Sequence, residues 1–521
     1  MLTSSELIPL AAGERQWYEE IVPDSHYLRR LHVIDFEAFR PILEAAYTGF
    51  GRPPLDSVFM LKLELLARQY RLSDRELIAA ARFNVAFRLF LGISLKSPLP
   101  HHTLLTYFRQ RLGTERLQQV FDTLVGQARR LGLVKDRLRL KDATHIIANI
   151  AVPSTIRLVA EVRDQLLEAL RPFAAERVAQ EQERAEIIRL ATDELKDEER
   201  LVQRVSQLRG VLAWADEVPQ QALLAQAGLP AQEKLRAALT LAHKVLADRD
   251  DPEAGDKVIS AHDPEARCGK HGDFYDGYLL DVAMDADSEL LTALNVLPAN
   301  GNEGADAVHL IKQEEQAQGN DVQALSIDGA GFRGELLREL SDPEGLALEV
   351  FVPPTERMPL TVFGPEQFAL SEDGQTLTCP AGQTTQNRQR NRVDTGMIFR
   401  FSKKQCAGCP LRTECLEKAE TKFRSVCKND YEAEYRAAQA KAKTPEYAAT
   451  RKEHPAIERK LSELVQRHEM RRARYRGLGK VLMQGLLTGL VVNLKRMVRL
   501  LFAPGAGAGG IVRAEVAKVG G

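Results

Sequence analysis

Three acidic residues stand where a carboxylate could hold a cation: Asp142 in RLRLKDATHIIANI, Asp328 in ALSIDGA and Glu458 in HPAIERKLSELVQRHEM. Hard divalent ions such as magnesium take oxygen ligands, and carboxylates gathered from separate elements can hold two such ions about 4 Å apart. That arrangement activates a water or a 3′-hydroxyl and steadies the leaving oxygen when a phosphodiester is cleaved. A second group of residues offers sulfur. Cys379 begins CPAG, and Cys406, Cys409 and Cys415 stand in CAGCPLRTEC. With the two-residue spacing of Cys406 and Cys409, these four suit a tetrahedral structural zinc. Reduced, unliganded cysteines are the ordinary alternative, and Cys427 is a substitute ligand.

The elements that must carry these residues can be read from periodicity. Residues 137–150 alternate as a strand does, with Leu138, Leu140, Asp142 and Thr144 on one side. An aspartate on a leucine face is either functional or a strand-end cap for a turn. The neighbouring His145 reads as a structural hydrogen-bonding side chain rather than a ligand. Residues 152–250 are leucine- and alanine-rich with alternating charge, predicting long helices. Residues 277–299 predict two strands around a turn at 285–288. A helix at AVHLIKQEEQAQ, the strand ALSIDGA, a helix at FRGELLREL and the strand ALEVFVPP follow. Such an order predicts a mixed sheet covered by helices, with Asp328 at a strand's C-terminal end, where open α/β sheets place their chemistry.

Upstream, SVFMLKLELLARQY (57–70) has helical spacing, and Ser73 with Glu76 forms a capping box for the next helix. A third helix starts near Thr103. Helix-turn-helix and plain helical bundle both fit this spacing. Residues 354–433 are turn-rich around the cysteines, residues 431–502 are helical and basic, and the tail GAGAGGIVRAEVAKVGG reads as flexible.

Composition narrows the classes. The 521 residues are 44% hydrophobic and 27% charged, which excludes a disordered or collagen-like chain. Six cysteines, five of them between Cys379 and Cys427, are too few for a disulfide scaffold and fit a reducing cytosol. The most apolar run, 481–492, is short of a membrane span and carries Gln484 and Thr488, so the expected location is cytoplasmic. The 71 basic and 72 acidic residues nearly cancel, but unevenly. Residues 451–499 hold 13 lysines and arginines against four glutamates, and residues 109–141 hold nine basic against three acidic. Such segments suit phosphate contact, with Arg109, Arg111, Arg471, Arg472, Arg474, Arg476 and Lys480 as candidates and Tyr475 among them.

Four words in order then resemble a known family. GRPPLDSVFMLKLELLARQYRLSDRELIAAARFNVAFRLFLGISL, followed by FRQRLG, resembles the N-terminal domain of bacterial insertion-sequence transposases of the DDE class. KDATHIIAN resembles the strand bearing the family's first catalytic aspartate, LSIDGAGF the word bearing the second, and ERKLSELVQRHEMRRARYRGLGKVLMQGLLTGLVVNLKRM the C-terminal signature bearing the glutamate.

The resemblance implies an RNase H-like α/β core, a mixed sheet with helices on both faces. It implies Asp142, Asp328 and Glu458 as ligands of magnesium or manganese, and double-stranded DNA, both element ends and target, as substrate. The implied reaction cleaves those ends and joins the 3′-hydroxyl to target DNA, without a covalent protein–DNA intermediate. The expected layout is a helical DNA-binding domain at 1–135, a catalytic domain at 136–502 and a flexible tail at 503–521. Insertions are expected at about 152–255 (helical) and 354–433 (cysteine-containing). A homo-oligomer on DNA and no membrane partner are expected. A catalytically inactive, DNA-binding descendant acting as a repressor is the alternative.

Glu463 rivals Glu458 for the third position. At 100° per residue Ile457, Leu461, Leu464 and His468 form one stripe, with Glu458 at its margin and Glu463 further away, which favours Glu458. Glu463 is expected to pair with Arg459 or Arg467. The family often places a basic residue seven positions after the glutamate. Here that position is Val465, leaving Arg467 or Arg459 as substitutes.

Overall fold

The computed structural model describes residues 6–47, 54–217, 228–355, 361–391, 395–418 and 420–503. The glycine-rich tail lies outside the described residues.

Six strands make one mixed sheet. β1 (Arg139–Ile147) lies at its centre, antiparallel to β3 (Asp273–Asp285) and parallel to β5 (Ala324–Ser326). β3 also pairs antiparallel with β2 (Arg267–His271) and β4 (Leu291–Pro298), and β5 pairs parallel with β6 (Glu349–Phe351). Register places Asp142 opposite Val282 and Ala143 opposite Asp281. β2 is the one strand here that periodicity misses: its residues RCGKH lack an apolar face, and pairing with β3 across the Gly272 turn (φ 76°) creates it.

Both faces are covered. The Glu303–Gln318 helix lies over Ala283 and Ala293 through Leu310. The Leu478–Leu501 helix covers the opposite face, with Gly485 and Gly489 set against Leu280 and Leu294. A Cβ at Gly489 would stand 2.8 Å from Leu294 Cδ2 and 3.0 Å from Phe121 Cε2, so glycine lets sheet and helices close on one another. By length and composition this helix could cross a membrane, but 78% of its most apolar window is buried inside the fold.

The same core continues into the N-terminal helices. Leu61, Leu63 and Leu66 of the Ser57–Tyr70 helix join Leu280, Val282, Leu487 and Val491 in one cluster. Asp56 caps that helix, accepting from Phe59 N at 2.8 Å, and Arg71 ends it at φ 56°. The Ser73 capping box forms with both of its bonds. The third helix does start at Thr103, and Gly113 (φ 67°) interrupts the long Thr103–Arg130 run with a kink.

Among the described residues between β1 and β2, four helices, Thr155–Leu170, Ala175–Ala191, Asp197–Glu217 and Leu229–Asp250, close around a separate core that includes Leu166, Leu167, Leu208 and Ala242. Between β6 and Glu432 the cysteine-bearing section holds two small three-stranded sheets around Phe368, Leu377, Phe399, Phe401 and Val426.

Arg139 ties the sheet to the Glu303–Gln318 helix. It is fully buried, bonding Glu314 at 2.6 Å and Asp285 at 2.9 Å, and both of those carboxylates are fully buried too. Removing one member strands the others in a medium that cannot solvate them. Arg139→Met should therefore lower stability by about 3–5 kcal/mol. A loss in urea denaturation smaller than about 1 kcal/mol would show that the network is dispensable.

Candidate active site

Asp142 is the fourth of the nine residues of β1, half-buried, with Ala143 N donating to its Oδ1 at 2.8 Å. Burial pushes its carboxyl up to about 6, and the charges of Asp328 and Glu303 add to the shift. Asp328 follows β5 and caps the short turn Gly329–Gly331, accepting from Ala330 N at 3.1 Å. Parallel pairing of β1 with β5 brings the two aspartates side by side, as the strand assignments require.

Glu458 lies in the first turn of the Pro455–His468 helix, which packs against β1. Ile457, Leu461, Leu464 and His468 are buried as the stripe predicts, and Glu458 is exposed. The comparison with Glu463 needs correction. Lys460 is also buried, which widens the buried face toward Glu463 and leaves it half-buried. Glu463 pairs with Lys460 at 3.0 Å, not with Arg459 or Arg467, and the nearby His468 and Lys495 also draw it down. Its surroundings are thus the basic side of the helix, away from the aspartates.

The group that senses all three candidates is Arg451. Burial lowers its guanidinium, while Asp328, Glu458 and Asp142 each pull it back up. Arg451 donates to Ser326 Oγ at 3.0 Å and to the Ile327 carbonyl at 2.8 Å, directly before Asp328. His454 Nδ1 is 3.1 Å from the same Ser326 Oγ, and burial holds this imidazole down at about 4, so it is neutral near pH 7. The cation expected seven positions after Glu458 thus has a counterpart seven positions before it. Arg459 faces Glu289 at 3.8 Å instead. Sequence reading misses Arg451 because it belongs to the preceding Pro445–Glu453 helix, whose orientation is set by packing.

On the opposite face, Lys141 pairs with Asp281 at 3.0 Å and donates to the Glu303 carbonyl at 2.7 Å. Burial and the neighbouring Asp306 hold Asp281 well above the usual carboxylate range. This buried charged pair lies next to Asp142, since Asp281 stands opposite Ala143 in the sheet.

Among the described residues, no three His, Cys, Asp or Glu side chains are close enough to hold one ion. The donor chemistry nevertheless fits a hard divalent cation. Two acidic groups share a partly desolvated site, and the Asp328 charge makes Asp142 harder to ionise, an effect a bound cation would offset.

The cysteines divide as four and two. Burial raises the Cys415 thiol, and Cys406, Cys379 and Cys409 all act on it. Cys427 lies on a strand and accepts from Asn391 Nδ2 at 3.5 Å, while Cys268 is exposed on β2.

The basic candidates have distinct placements. Arg109 is held by Glu64 at 2.9 Å and Asp74 at 2.5 Å, so ion pairs inside the protein occupy its fork. Arg111 is exposed, 5.3 Å above the Tyr47 ring. Residues 471–473 run beside the end of β1, with Arg471 O accepting from Ile147 N and Ala473 N donating to Ile147 O, both at 2.9 Å. Arg471 reaches the His145 carbonyl at 2.8 Å, and the His145 ring packs on Tyr275 at 4.9 Å. Arg474 pairs with Glu469 at 2.6 Å, while Arg472, Arg476 and Lys480 are exposed. The basic loop therefore borders the strand that carries Asp142.

If Asp142 is strained by burial beside Asp328, Asp142→Asn should stabilise the metal-free protein by about 1–2 kcal/mol at pH 7, discounted for partial exposure. The folded carboxyl is raised, so its penalty is absent below about pH 4, grows as pH rises and is complete above about pH 6. Melting temperature against pH for both proteins checks this, and a gain independent of pH would contradict it.

Two family models match the chain. Residues 16–111 match a transposase domain (DUF772), and residues 378–498 match a transposase DDE domain. The first covers the helical N-terminal region. The second covers the five cysteines from Cys379 to Cys427, Glu458 and the Leu478–Leu501 helix up to Val498, and neither includes Asp142 or Asp328. No solved structure matches the chain. With both ends of the chain matching transposase domains around an acidic site in a mixed sheet, the protein belongs to the insertion-sequence transposases of the DDE class.

Proposed function

We propose that this transposase cleaves the ends of its element and transfers the resulting 3′-hydroxyl into target DNA, using Asp142, Asp328 and Glu458. The observation that carries the reading is geometric: β1 pairs parallel with β5 in the register that leads on to Asp142 and Asp328, and the helix bearing Glu458 packs against β1. The mixed sheet, with an antiparallel run on one side of β1 and parallel strands on the other, supports an RNase H-like core. Its catalytic part is read as 136–502, behind a helical DNA-binding part at 1–135. The four-helix and cysteine-bearing sections are insertions in this reading.

Divalent magnesium or manganese, held by the three carboxylates, would lend positive charge to the attacking and leaving oxygens of the phosphodiester. The protein's own contribution is positional. Parallel pairing sets Asp142 beside Asp328, and Arg451 ties the end of β5 to the segment leading into the glutamate helix. Glu458 is exposed at its helix start, and in this reading the helix moves toward the two aspartates to close the set. Arg472, Arg476 and Lys480, with Arg471 behind them, offer phosphate contacts along the loop beside β1. Arg109 has no place on this face, since Glu64 and Asp74 already engage it. Action in the cytoplasm and assembly on DNA as a homo-oligomer complete the reading.

Supercoiled plasmid carrying the element ends should be nicked with magnesium, and alanine at Asp142, Asp328 or Glu458 should abolish nicking while leaving DNA binding within about twofold. Near-normal nicking by Asp328→Ala would overturn the assignment, and binding without nicking by the wild type would favour the repressor reading.

We further assign Cys379, Cys406, Cys409 and Cys415 to a structural zinc, supported by the two-residue spacing of Cys406 and Cys409 and by the packing of Cys379, Cys406 and Cys415 against one small core. Purified protein should contain about one zinc per chain, lost in Cys406→Ser and retained in Cys427→Ser. A zinc-free, folded wild type would refute it.

A further inference from the structure

The four-helix section contains a cavity of about 690 Å³, lined by residues of three of its helices that include Arg163, Arg189, Arg200 and Arg204. Three of these arginines have carboxylate partners: Asp164 at 2.7 Å for Arg163, Glu186 at 2.7 Å for Arg189 and Asp197 at 3.2 Å for Arg200. Those acids, and Asp193 beside them, are all exposed. Arg204 is different. It is only 5% exposed, and no carboxylate among the described residues lies within ion-pair distance of it. Its guanidinium meets two neutral oxygens at the long limit of hydrogen bonding, Gln207 Oε1 at 3.4 Å and Thr192 Oγ1 at 3.5 Å.

Around Arg204 the balance of hydrogen-bonding groups is one-sided. Gln207 Oε1 also accepts from Arg163 at 2.8 Å, so one amide oxygen serves two guanidiniums. The buried polar atoms there without a hydrogen-bond partner are both donors, Arg200 Nε and Gln207 Nε2. An uncompensated buried cation with surplus donors is costly to maintain, and an acceptor-only anion satisfies charge and donors together. The positive fields of Arg163, Arg200 and Arg189 also press the Arg204 guanidinium down. Among common anions, the tetrahedral phosphate group matches the arginine fork through parallel N–H bonds.

We propose that this cavity is a phosphate-binding site centred on Arg204 and Arg163, and that its occupant is a backbone phosphate of DNA. The choice of DNA as the source rests on the transposase reading, whereas the phosphate chemistry does not. In this arrangement the helical section grips the nucleic acid by its backbone, away from the carboxylates, and adds affinity without base readout.

The test uses the full chain and two probes, inorganic phosphate and a DNA duplex. Phosphate should raise the melting temperature of the wild type saturably. Arg204→Met, which keeps the bulk and removes the charge, should weaken phosphate affinity at least ~10-fold, and Arg204→Lys should retain part of it. Arg163→Gln provides a second variant should Arg204→Met fail to fold. On DNA, Arg204→Met should reduce the slope of log affinity against log salt by about 1. Loss of the phosphate response with an unchanged DNA slope would assign the site to a free phosphate compound. An equal phosphate response in the wild type, Arg204→Met and Arg163→Gln, or none in the wild type, would overturn the site. A wild type that binds phosphate here but neither binds nor nicks DNA would leave the site standing and remove the transposase reading.

Discussion

Two buried amides on one helix hold much of this structure together. Asn493 donates from Nδ2 to the Leu291 carbonyl at 2.8 Å and accepts from Leu291 N at 2.9 Å, gripping the first residue of β4 by its backbone. Gln484, almost three turns earlier, donates to the Arg472 carbonyl at 3.0 Å and accepts from Arg474 N at 2.7 Å. Backbone groups at a strand end and in a loop must find partners once water is excluded, and a side-chain amide satisfies a donor and an acceptor together. The Leu478–Leu501 helix can therefore be almost wholly buried and still set the β3–β4 hairpin and the basic loop. Arg496 extends the grip, donating to Ser288 O at 2.6 Å in the hairpin turn. The asparagine-leucine-lysine-arginine word is thus an architectural motif: its asparagine and arginine hold the sheet on which the acidic site is built.

Electrostatics around the site follows from that frame. The sheet places Asp142 between two unlike environments. On the helix side it faces Asp328, with Arg451 acting on both and on Glu458. Behind it, Lys141 pairs with Asp281, whose carboxyl burial and Asp306 hold well above the usual range. Lysine and arginine thus divide the work. Lys141 is locked into the sheet's buried side, whereas Arg451 bridges two elements whose relative position determines whether the carboxylates meet. The ion pairs at Arg139 and Arg109 serve packing and engage those cations inside the protein.

Much of this was legible in the chain. Alternation around Asp142, the turn at 285–288 and the strand leading to Asp328 correspond to β1, the β3–β4 hairpin and β5, because half-buried strands carry their burial pattern locally. The Ser73 capping box is legible for the same reason. What was not legible depends on tertiary partners. β2 has no apolar periodicity of its own, Arg109 gives no sign that Glu64 and Asp74 will claim it, and Arg451 acquires its role only when its helix crosses the end of β5. Glu463 lies nearer the buried face than the stripe of Ile457, Leu461, Leu464 and His468 indicates, because the structure also buries Lys460. The same limit applies to Arg204, which looks like one more charge on an amphipathic helix until three helices close over it.

The grip of Asn493 on Leu291 spans 202 positions, and it has a consequence for the order of assembly. Strands β1, β3 and β4 leave the ribosome long before the helix that covers their apolar face, so Leu280, Val282 and Leu294 remain uncovered until residues 478–501 arrive. Contacts of such separation are slow to form, because a long loop must close before the first of them is rewarded. The four-helix section, closed on its own core, is free of that delay and can be ordered while the sheet is still waiting. Synthesis thus delivers the acidic site in parts, and only the chain's last described helix makes those parts a single rigid body.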